Sequence, residues 1–590
     1  MERRVAIVDK SKCVIKTTCP FICGKNCPVN AAGEPCIYLG EDGYPVIEEV
    51  LCTGCGICPK RCPTGAISIV NLPKALDEEP IHSYGINSFR LFRLPIPKFG
   101  KVIGILGRNG SGKSTAFDIL TSNIKPNLGD YEKGAKNEDI IKKYSKTILG
   151  DFFKKLYGNK IKIAYKPQRV ELISKSYNGK VGELLSRVDE RKVIDRLGKE
   201  FGIENIKDRY IKDISGGELQ KVAILATAAR DADIYFFDEP ASFLDITTRI
   251  KAAKLISSLK SENKAVIVVE HDLATLDYIS DEMQIFYGEA ACYGIVSQSK
   301  AVRRGINEYL DGYLPDENIR FRDYPIIFYR SADRFVQLNT PLFSFPSMTK
   351  TFENFELKIN KGTVRKGEVL TVMGANGLGK TTFLKILAGI EKPDNCKIEK
   401  LNLAYKPQQL KASSKTVREA LLEIAGSEFE TGWYKQNILE KLGLKNLLEQ
   451  KLNNLSGGEL QKVNIAITLS SDANIFAFDE PSAFIDVEDR LNVAEVIKEF
   501  VIKKDVCAIV VDHDVQFVDY IGDSMLIFNG IPGKSGEVTG PFGKIDGMNE
   551  VLKILDITYR MEKETGRPRI NKPGSVLDRE QRSKGKYYYN

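Results

Sequence analysis

The sequence has no long hydrophobic run. None of its 590 residues belongs to an uninterrupted apolar stretch of roughly 18 residues, the length that a membrane-spanning helix needs. The first residues, MERRVAIVDKSK, also lack the apolar core of a secretory signal. These absences exclude an integral membrane protein and predict a cytosolic one.

The sequence also lacks the fingerprint of dinucleotide-binding enzymes and has few histidines. Its glycine-rich loops do not follow G-x-G-x-x-G, the pattern of nicotinamide and flavin sites. Only three histidines occur: His82, which is predicted to be structural, His271 and His513. A hydrophobic share of 43% and a charged share of 28% match an ordinary soluble globular protein. The length leaves room for roughly three to five domains.

Cysteine is concentrated near the N-terminus. Nine of the twelve cysteines lie within the first 62 residues, and in a reducing compartment such clustering favours metal binding over disulfides. The run Cys52-x2-Cys55-x2-Cys58-x3-Cys62-Pro is that of bacterial ferredoxins, in which three cysteines hold one [4Fe-4S] cluster and the fourth binds the other cluster. Structural zinc is the alternative interpretation.

A second set of cysteines, upstream of this run, also ends in Cys-Pro. The crossed ferredoxin rule then assigns eight ligands to two clusters. The first cluster takes Cys13, Cys19, Cys23 and Cys62, and the second takes Cys27, Cys52, Cys55 and Cys58. Cys36 is left over and is predicted to be a packing residue. Two clusters usually mean electron transfer, but they can instead fix the shape of a small module that buries little apolar surface.

A large internal repeat organises the rest of the chain. GRNGSGKST at 107–115 recurs as GANGLGKTT at 374–382. The blocks YKPQ, SGGELQKV, FDEP and HD also recur in the same order, displaced by 240 to 242 positions. The phosphate loops are further apart because the first copy has an insertion of about 27 residues, placed near 130–160.

The insertion has the pattern of an amphipathic helix. Apolar residues recur every four positions from Ile140 to Leu156, and lysines fill the other faces. Gly150 is predicted to break the segment into two short helices, which gives a basic helix-loop-helix projection. A solvent-exposed surface segment without a partner is the alternative interpretation. The insertion occurs in only one of the two repeats, however, and this favours a partner contact.

Both copies carry a complete phosphate loop of the form G-x-x-x-x-G-K-[ST]. Its glycines let backbone N–H groups surround phosphate oxygens, its lysine reaches the terminal phosphates, and its hydroxyl binds magnesium. Apolar strands precede both loops, as the pattern requires. The predicted ATP-binding residues of the loops are Gly107, Asn109, Gly110, Gly112, Lys113, Ser114 and Thr115 in the first copy and Gly374, Asn376, Gly377, Gly379, Lys380, Thr381 and Thr382 in the second.

Further residues around each loop have predicted catalytic or magnesium-binding roles. Asp-Glu-Pro follows an apolar strand in both copies, so that the aspartate can hold magnesium and the glutamate can polarise the attacking water. The predicted catalytic residues are Glu239, Glu480, His271 and His513, and the predicted magnesium-binding residues are Ser114, Gln168, Asp238, Thr381, Gln408 and Asp479. By position alone, Tyr84, Phe89, Phe352 and Phe355 are candidates for adenine stacking or for the core.

The SGGE block identifies the class of ATPase that the repeat resembles. Its serine and glycines open a helix and form an anion-binding N-terminus, as in the ATP-binding cassette (ABC) family, whose signature motif completes the ATP site of the opposite domain. The resemblance implies that the first loop faces Ser456, Gly457, Gly458 and Glu459, and that the second faces Ser215, Gly216, Gly217 and Glu218. It further implies two ATPs held head to tail and hydrolysis at both sites.

The whole arrangement resembles the ribosome-recycling ABC ATPases of archaea and eukaryotes, the RNase L inhibitor family. The resemblance rests on the cysteine run, both motif sets and the arginine-containing segment between the halves. It implies an α/β fold in which two ABC-type nucleotide-binding domains, each a mainly parallel sheet with helices, follow a small α+β ferredoxin-like 2x[4Fe-4S] domain. The implied boundaries are 1–75 for the iron-sulfur domain, 76–300 and 336–545 for the ABC domains, 301–335 for a hinge, and 546–590 for a second hinge and basic tail.

The resemblance also implies a function and partners. ATP binding with Mg2+ would close the two ABC domains, move the iron-sulfur domain and split the ribosome into large and small subunits after termination or rescue. The implied partners are ribosomal subunits and an archaeal release factor or a Pelota-type rescue factor, with no membrane partner and with the protein as a monomer. A redox-coupled soluble ABC ATPase that uses its clusters for electron transfer is the alternative.

Overall fold

The computed structural model describes residues 4–73, 78–328, 340–399, 401–408 and 413–588. The chain divides into two compact units, each assembled from several segments. The first contains Met1–Pro240, Lys254–His271 and Ile279–Pro325, and the second contains Ala241–Ala253, Asp272–Tyr278 and Ile326–Asn590. The domain boundaries given above stay predictions. Among the described residues, no helix has the length and apolar character needed to cross a membrane.

The N-terminal part of the first unit is a small region whose core is built largely from thiols. Arg4–Val8 pairs antiparallel with Ile67–Asn71, and Ile37–Leu39 pairs antiparallel with Pro45–Ile47. Its short helices are Ile22–Lys25, Pro28–Ala31 and Ile57–Arg61. Five of the ten buried residues of this core are cysteines. Because so little aliphatic surface is buried, the region depends on its cysteines for stability.

Residues 87–90 make several contacts between the N-terminal region and the rest of the first unit. Asn87 is buried and has a left-handed backbone with φ of 48°. Its side chain accepts a hydrogen bond from the Ile47 N–H at 2.7 Å and donates one to the Ile47 carbonyl at 2.9 Å. Three residues further on, Arg90 makes a two-pronged ion pair with Glu49 at 2.9 and 3.0 Å. The side chain of Asn87 therefore pairs with the edge of the Pro45–Ile47 strand as another peptide group would.

Each unit contains a large, mainly parallel sheet, and the strand order is the same in both. Five central strands of each sheet are parallel and predominantly apolar because helices cover both faces. In the first unit the described strands run, in spatial order, His82–Ser83, Arg90–Leu91, Tyr293–Val296, Glu282–Tyr287, Val102–Gly107, Ala265–Val269, Ile234–Asp238 and Ile163–Lys166, with Lys300–Ala301 beside Glu282–Tyr287. In the second unit they run Met348–Phe352, Phe355–Ile359, Ser535–Gly543, Ser524–Ile531, Val369–Gly374, Cys507–Val511, Ile475–Asp479 and Leu403–Lys406.

The helices follow the same repeat, and three further strand pairs complete the structure. The helices of the first half of the chain are Lys113–Leu120, Asn137–Lys143, Ile148–Tyr157, Glu171–Ser176, Val181–Val188, Ile194–Phe201, Gly216–Ala228, Ile246–Ser258, Leu273–Ile279 and Val302–Asp311. Those of the second half are Lys380–Leu387, Val417–Ala425, Gly432–Tyr434, Gly457–Leu469, Val487–Lys504, Val515–Ile521, Lys544–Ile554 and Val576–Ser583. The small pairs are Tyr313–Leu314 with Ile319–Arg320, Pro341–Phe345 with Gly362–Arg365, and Tyr559–Met561 with Pro568–Ile570.

The insertion in the first copy forms two helices, but the predicted break at Gly150 is wrong. Gly150 lies inside the helix Ile148–Tyr157, and the break falls at residues 144–147. A Cβ atom at Gly150 would lie 2.2 Å from the Tyr144 carbonyl oxygen. The glycine is therefore needed for close approach to the preceding turn and does not end the helix.

The C-terminal segment of the second unit contains two buried arginines. Arg567 is fully buried, and Arg569 makes a bidentate ion pair with Asp277 at 2.7 and 2.9 Å. Arg569 also donates to Glu562 at 2.7 Å. Burial lowers the pKa of Arg567 to about 10. Asp277 lies 3.9 Å from the Arg567 guanidinium as well, so it neighbours both buried arginines, and Glu562 is a second partner of Arg569.

Candidate functional site: two phosphate loops and two cysteine-lined cavities

Each phosphate loop follows the central strand of its sheet and opens a helix. In the first unit the loop joins Val102–Gly107 to Lys113–Leu120, and Gly110 and Gly112 have positive φ of 76° and 95°. Lys113 is buried, and its ammonium group donates to the Gly107 and Arg108 carbonyls at 2.7 and 2.9 Å. The loop therefore presents its backbone N–H groups and a buried cation at the N-terminus of a helix, the arrangement that binds polyphosphate.

The second phosphate loop has the same geometry. Lys380 donates to the Gly374 and Ala375 carbonyls at 2.9 and 2.7 Å. Thr381, in the first turn of the helix, donates to Asp479 at 3.0 Å. A hydroxyl and a carboxylate brought together beside a phosphate loop are the pair that holds Mg2+ in such ATPases.

The predicted catalytic side chains converge beside the first loop. Gln168 donates to a carboxylate oxygen of Glu239 at 2.7 Å, and the Nε2 atom of His271 lies 3.4 Å from the same oxygen. They meet because the parallel strands Ile234–Asp238 and Ala265–Val269 and the segment after Ile163–Lys166 all end at one edge of the sheet. Burial opposes the charge of Glu239, but the hydrogen bond and charge of His271 outweigh it and lower the pKa to about 2. Glu239 is therefore an anion at neutral pH.

The predicted catalytic side chains of the second unit are arranged like those of the first, but the pKa of the glutamate is shifted in the opposite direction. Gln408 donates to Glu480 at 2.7 Å, and His513 Nε2 lies 3.7 Å from that oxygen. Burial and the charge of Asp512 raise the pKa of Glu480. Burial, together with the positive charges of Lys380 and Arg249, lowers the pKa of His513 well below its ordinary value.

Two observations fit a nucleotide with a divalent cation at these sites. Both ring nitrogens of His513 are buried and make no hydrogen bond to the described residues, which is expected of a side chain whose partner is a ligand. In the first site, burial and the adjacent charge of Glu239 raise the pKa of Asp238 to about 7. A bound cation would remove this penalty by neutralising the paired carboxylates.

The aromatic candidates for adenine stacking divide into two kinds. Tyr84 is exposed and its hydroxyl lies 3.1 Å from the Thr115 hydroxyl of the loop. Phe352 is likewise exposed. Phe89 and Phe355 instead pack against the cores, and a Cβ at the neighbouring loop glycines would lie 2.6 and 3.1 Å from their rings. Tyr84 and Phe352 are thus the accessible candidates, and their role in adenine stacking stays a prediction.

The two SGGE blocks begin helices in the same way. Ser215 caps Gly216–Ala228, accepts a hydrogen bond from the Glu218 N–H at 3.3 Å and donates to the Glu218 carboxylate at 2.8 Å. Ser456 and Glu459 form the same capping box at Gly457–Leu469. These contacts order the N-terminal turn of each helix. The predicted pairing of each turn with the opposite phosphate loop stays a prediction.

Within the second unit, the loop that follows the first Asp-Glu-Pro contacts a phosphate loop. The Asn376 N–H donates to Asp245, and its side-chain amide donates to the Phe243 carbonyl, both at 3.4 Å. Asp245 also accepts a hydrogen bond from the Thr248 N–H at 2.9 Å and so begins the following helix. The predicted ATP-binding residue Asn376 is therefore held by residues that lie 131 and 133 positions earlier in the chain.

Two pairs of residues that contact the main chain of the predicted catalytic glutamates were not predicted from the sequence. Lys166 donates to the carbonyls of Asp238 and Glu239, and Lys406 makes the equivalent contacts in the second unit. Gln220 and Gln461 donate to the same glutamate carbonyls. The available signal was that the lysine of YKPQ and the glutamine of SGGELQ occur in both copies.

The cysteines line two separate cavities. The first cavity has Cys13, Cys19, Cys23 and Cys62 in its wall, and the second has Cys27, Cys36, Cys52, Cys55 and Cys58. The remaining lining is almost entirely apolar. The two sets are the same two that the crossed ferredoxin rule assigned, with Cys36 added to the second.

The donor set fits a four-iron cluster better than a single ion. Among the described residues, no three His, Cys, Asp or Glu side chains converge closely enough to hold one metal ion. A cubane places each of its four cysteines on a different iron, so its ligands stand around a cavity and do not meet at a point. The Ala66 N–H also donates to Cys62 Sγ at 3.3 Å, a contact of the kind that tunes cluster thiolates.

Cys36 lies in the wall of the second cavity, a position that suits either a packing residue or a ligand. It is buried, and its thiol lies 3.9 Å from the Glu48 carbonyl, to which it can donate. Burial and the neighbouring Cys27 and Cys52 raise its pKa to about 12. Burial also raises the pKa of the predicted ligand Cys58 to about 12, so this shift does not separate a packing residue from a ligand, and the assignment of Cys36 stays a prediction.

Comparison with known proteins gives matches along the whole chain. The ABC transporter family model matches residues 96–242 and 357–483. An uncharacterized ABC transporter ATP-binding protein of Methanocaldococcus jannaschii is 49% identical over 99% of this chain and 97% of its own length. Translation initiation factor RLI1 of Saccharomyces cerevisiae is 41% identical over 99% of this chain and 98% of its own.

A solved structure extends this similarity to three dimensions. The model of ribosome-bound archaeal Pelota and ABCE1 contains a chain that is 46% identical, with a TM-score of 0.95 and full coverage of both chains. The predicted pair of α/β ABC domains is confirmed. With both phosphate loops intact and similarity over its full length, the chain belongs to the ABC ATPase family of ABCE1 and RLI1, also called the RNase L inhibitor family.

Proposed function

We propose that this protein is an ATP-dependent ribosome recycling factor that splits the ribosome into large and small subunits after termination or rescue. The observation that carries the proposal is full-length similarity to an ABCE1 chain bound to the ribosome together with Pelota. Both halves retain every side chain that ATP-driven closure requires. The partners are therefore the ribosomal subunits and a release or Pelota-type rescue factor.

Each ATP site hydrolyses its nucleotide in this proposal. Ser114 and Asp238 in the first site, and Thr381 and Asp479 in the second, hold Mg2+ with the neighbouring glutamine. The glutamate after each aspartate orients the attacking water, since it accepts a hydrogen bond from that glutamine and lies 3.4 or 3.7 Å from a histidine ring nitrogen. The signature helix of one domain completes the site of the other, so that closure requires ATP.

The N-terminal region is proposed to be a ferredoxin-like domain with two [4Fe-4S] clusters. Cys13, Cys19, Cys23 and Cys62 would hold one cluster, and Cys27, Cys52, Cys55 and Cys58 the other. Such clusters supply cross-linking of the chain and, in other proteins, one-electron transfer. Because five of ten core residues here are cysteines, the cross-linking role accounts for the region without a redox partner.

The decisive experiment is sedimentation of intact ribosomes incubated with the protein, a release factor or Pelota-type factor, and ATP. Free subunits are expected with ATP and the wild-type protein, and intact particles when ATP is omitted. The doubly substituted Glu239→Gln, Glu480→Gln protein is expected to bind ATP and to lose multiple-turnover splitting, because it retains the phosphate loops and lacks the water-orienting carboxylates. Ribosomes that stay intact with wild-type protein under every nucleotide and factor condition would reject the proposed function.

A further inference from the structure

Both catalytic glutamates have an unfavourable backbone conformation. Glu239 and Glu480 have φ of 46° and 48°, in the left-handed region that non-glycine residues rarely occupy. Such a conformation persists only where surrounding contacts fix it, and at a catalytic residue it decides where the side chain points. The contacts that fix this backbone conformation therefore also determine the direction of the carboxylate.

A buried lysine makes those contacts in each unit. Lys166, the last residue of the strand Ile163–Lys166, is fully buried, and its ammonium group donates to the Asp238 carbonyl at 2.7 Å and the Glu239 carbonyl at 3.1 Å. Lys406 ends the strand Leu403–Lys406 and donates to the carbonyls of Asp479 at 2.8 Å and Glu480 at 3.5 Å. The same geometry thus arises in two separate sites.

One glutamine side chain in each site also donates to the glutamate carbonyl. We call the lysine and the glutamine together the clamp. In the first site the Gln220 amide donates to the Glu239 carbonyl at 2.8 Å and the Pro240 carbonyl at 3.0 Å. In the second, Gln461 donates to the Glu480 carbonyl at 2.6 Å. The glutamate carbonyl is therefore held from one side by the strand that leads to YKPQ and from the other by the signature helix.

The position of the lysine in the chain links this clamp to the carboxylate itself. Gln168, two residues after Lys166, donates to the Glu239 carboxylate at 2.7 Å. One short segment therefore holds both ends of the glutamate, its main-chain carbonyl through the lysine and its side chain through the glutamine. Gln408 and Lys406 have the same relation to Glu480.

A buried ammonium group at this strand position lowers the stability of the fold, so its presence calls for a functional reason. Buried strand positions are normally apolar, and burying a cation is unfavourable. Burial lowers the pKa of both Lys166 and Lys406 to about 8, although neighbouring carboxylates oppose the shift. An apolar side chain would avoid this penalty but would leave two buried carbonyls with fewer hydrogen bonds and the strained turn less firmly held.

We propose that Lys166 and Lys406 are positioning residues for ATP hydrolysis, which hold the left-handed backbone of Glu239 and Glu480 so that each carboxylate is aimed at the attacking water. The inference rests on the proposed ATPase function. It differs from the roles of the phosphate-loop lysines Lys113 and Lys380, which donate to carbonyls of their own loops. A positioning role predicts a loss of turnover with little effect on ATP binding.

The test is single-turnover ATP hydrolysis by the full-length protein. In a Glu480→Gln background, which confines hydrolysis to the first site, Lys166→Met is expected to lower the hydrolysis rate at saturating ATP at least tenfold. The ATP concentration for half-maximal rate is expected to change less than threefold. Gln284→Met is the matched control, because Gln284 is a buried side chain that donates to a backbone carbonyl in the same sheet, at Ser297. This variant is expected to keep the rate of the background protein within twofold.

A second comparison separates positioning from a general structural effect. If Lys166 acts through Glu239, the substitution Lys166→Met should lower the residual rate of a Glu239→Gln, Glu480→Gln protein less than twofold, since the second site is silent and the group that Lys166 positions is already gone. Losses that multiply would overturn the proposal, as would an unchanged rate in the Glu480→Gln background. A wild-type protein that does not hydrolyse ATP would instead reject the ATPase function.

The duplicated site keeps the proposal testable if one variant fails to fold. Lys406→Met in a Glu239→Gln background is the mirror experiment, with the same expected loss at the second site. Lys166→Gln and Lys406→Gln retain an amide donor and are expected to recover part of the rate lost in the methionine variants. Glutamine variants slower than the methionine variants would contradict a hydrogen-bonding role.

Discussion

Replacement of Asn87 by alanine is expected to weaken the attachment of the N-terminal cysteine-rich region to the rest of the first unit, while the Arg90–Glu49 ion pair remains. The substitution removes two buried hydrogen bonds to Ile47, at 2.7 and 2.9 Å, and a typical hydrogen bond contributes about 1 kcal/mol. The Ile47 N–H and carbonyl then lack partners, at a cost of about 1 to 3 kcal/mol each. Alanine also fits the left-handed backbone of φ 48° less well than asparagine, by about 1 kcal/mol.

Because these effects overlap, the expected loss is about 3 to 6 kcal/mol, on the basis of the same hydrogen-bond and desolvation costs. That loss corresponds to a shift of about 100-fold to 10,000-fold in the equilibrium for undocking. Hydrogen exchange measures it directly. The amide of Ile47, and that of Val8, which donates to the Asn87 carbonyl at 3.0 Å, should exchange at least 100-fold faster in Asn87→Ala than in the wild-type protein.

The chain contains a matched control within the cysteine-rich region. Asn30 holds Ile37 in the same way, accepting from its N–H at 2.8 Å and donating to its carbonyl at 2.6 Å. Asn30→Ala should therefore accelerate exchange at Ile37 and leave the amide of Ile47 protected. Exchange at Ile47 within threefold of wild type in Asn87→Ala would refute the assignment of Asn87 as the fastening residue.

Three further outcomes are expected. Gly150→Ala should destabilise the helical insertion by about 1 to 3 kcal/mol, because the new Cβ would lie 2.2 Å from a carbonyl oxygen, whereas Gly198→Ala, with no atom within 4 Å, should be neutral or stabilising in thermal unfolding. Asp277→Asn should cost the second unit about 3 to 5 kcal/mol, since it leaves the fully buried Arg567 without its neighbouring anion and Arg569 with Glu562 alone; a melting temperature equal to that of the wild type would contradict this. Cys58→Ser should reduce the iron content of the purified protein while Cys36→Ser retains it, and equal losses would show that Cys36 is also a ligand.

The parts of the site that follow from short, strong patterns could be predicted from the sequence. The crossed assignment of eight cysteines coincides with the walls of two separate cavities, because the spacing of a ferredoxin run fixes which thiols can face each other. The phosphate loops and Asp-Glu-Pro lie at strand ends for a similar reason. Apolar parallel strands end at a common edge of the sheet, and the polar residues that follow them meet there.

Contacts that depend on close packing could not be predicted in this way. Gly150 was interpreted as a helix break because glycine weakens helices, yet its role is to let the helix approach the Tyr144 carbonyl. The lysine of YKPQ has no sequence pattern that distinguishes it from a surface lysine. Its side chain is nevertheless buried in both copies, at Lys166 and at Lys406. The left-handed conformation of Asn87 likewise has no local sequence pattern beyond the tolerance of asparagine for it.

One loop connects the first ATP site with the cysteine-rich region. Tyr84 lies at the Thr115 hydroxyl of the phosphate-loop helix, Asn87 pairs with the edge strand of the cysteine-rich region, and Arg90 binds Glu49 of the same region. Arg90 is only six positions after Tyr84. The candidate for adenine stacking and the residues that hold the N-terminal region therefore share one short stretch of backbone. No contact through the core is needed to bring the phosphate-loop helix and the cysteine-rich region to the same segment, because the two sets of contacts begin from neighbouring residues.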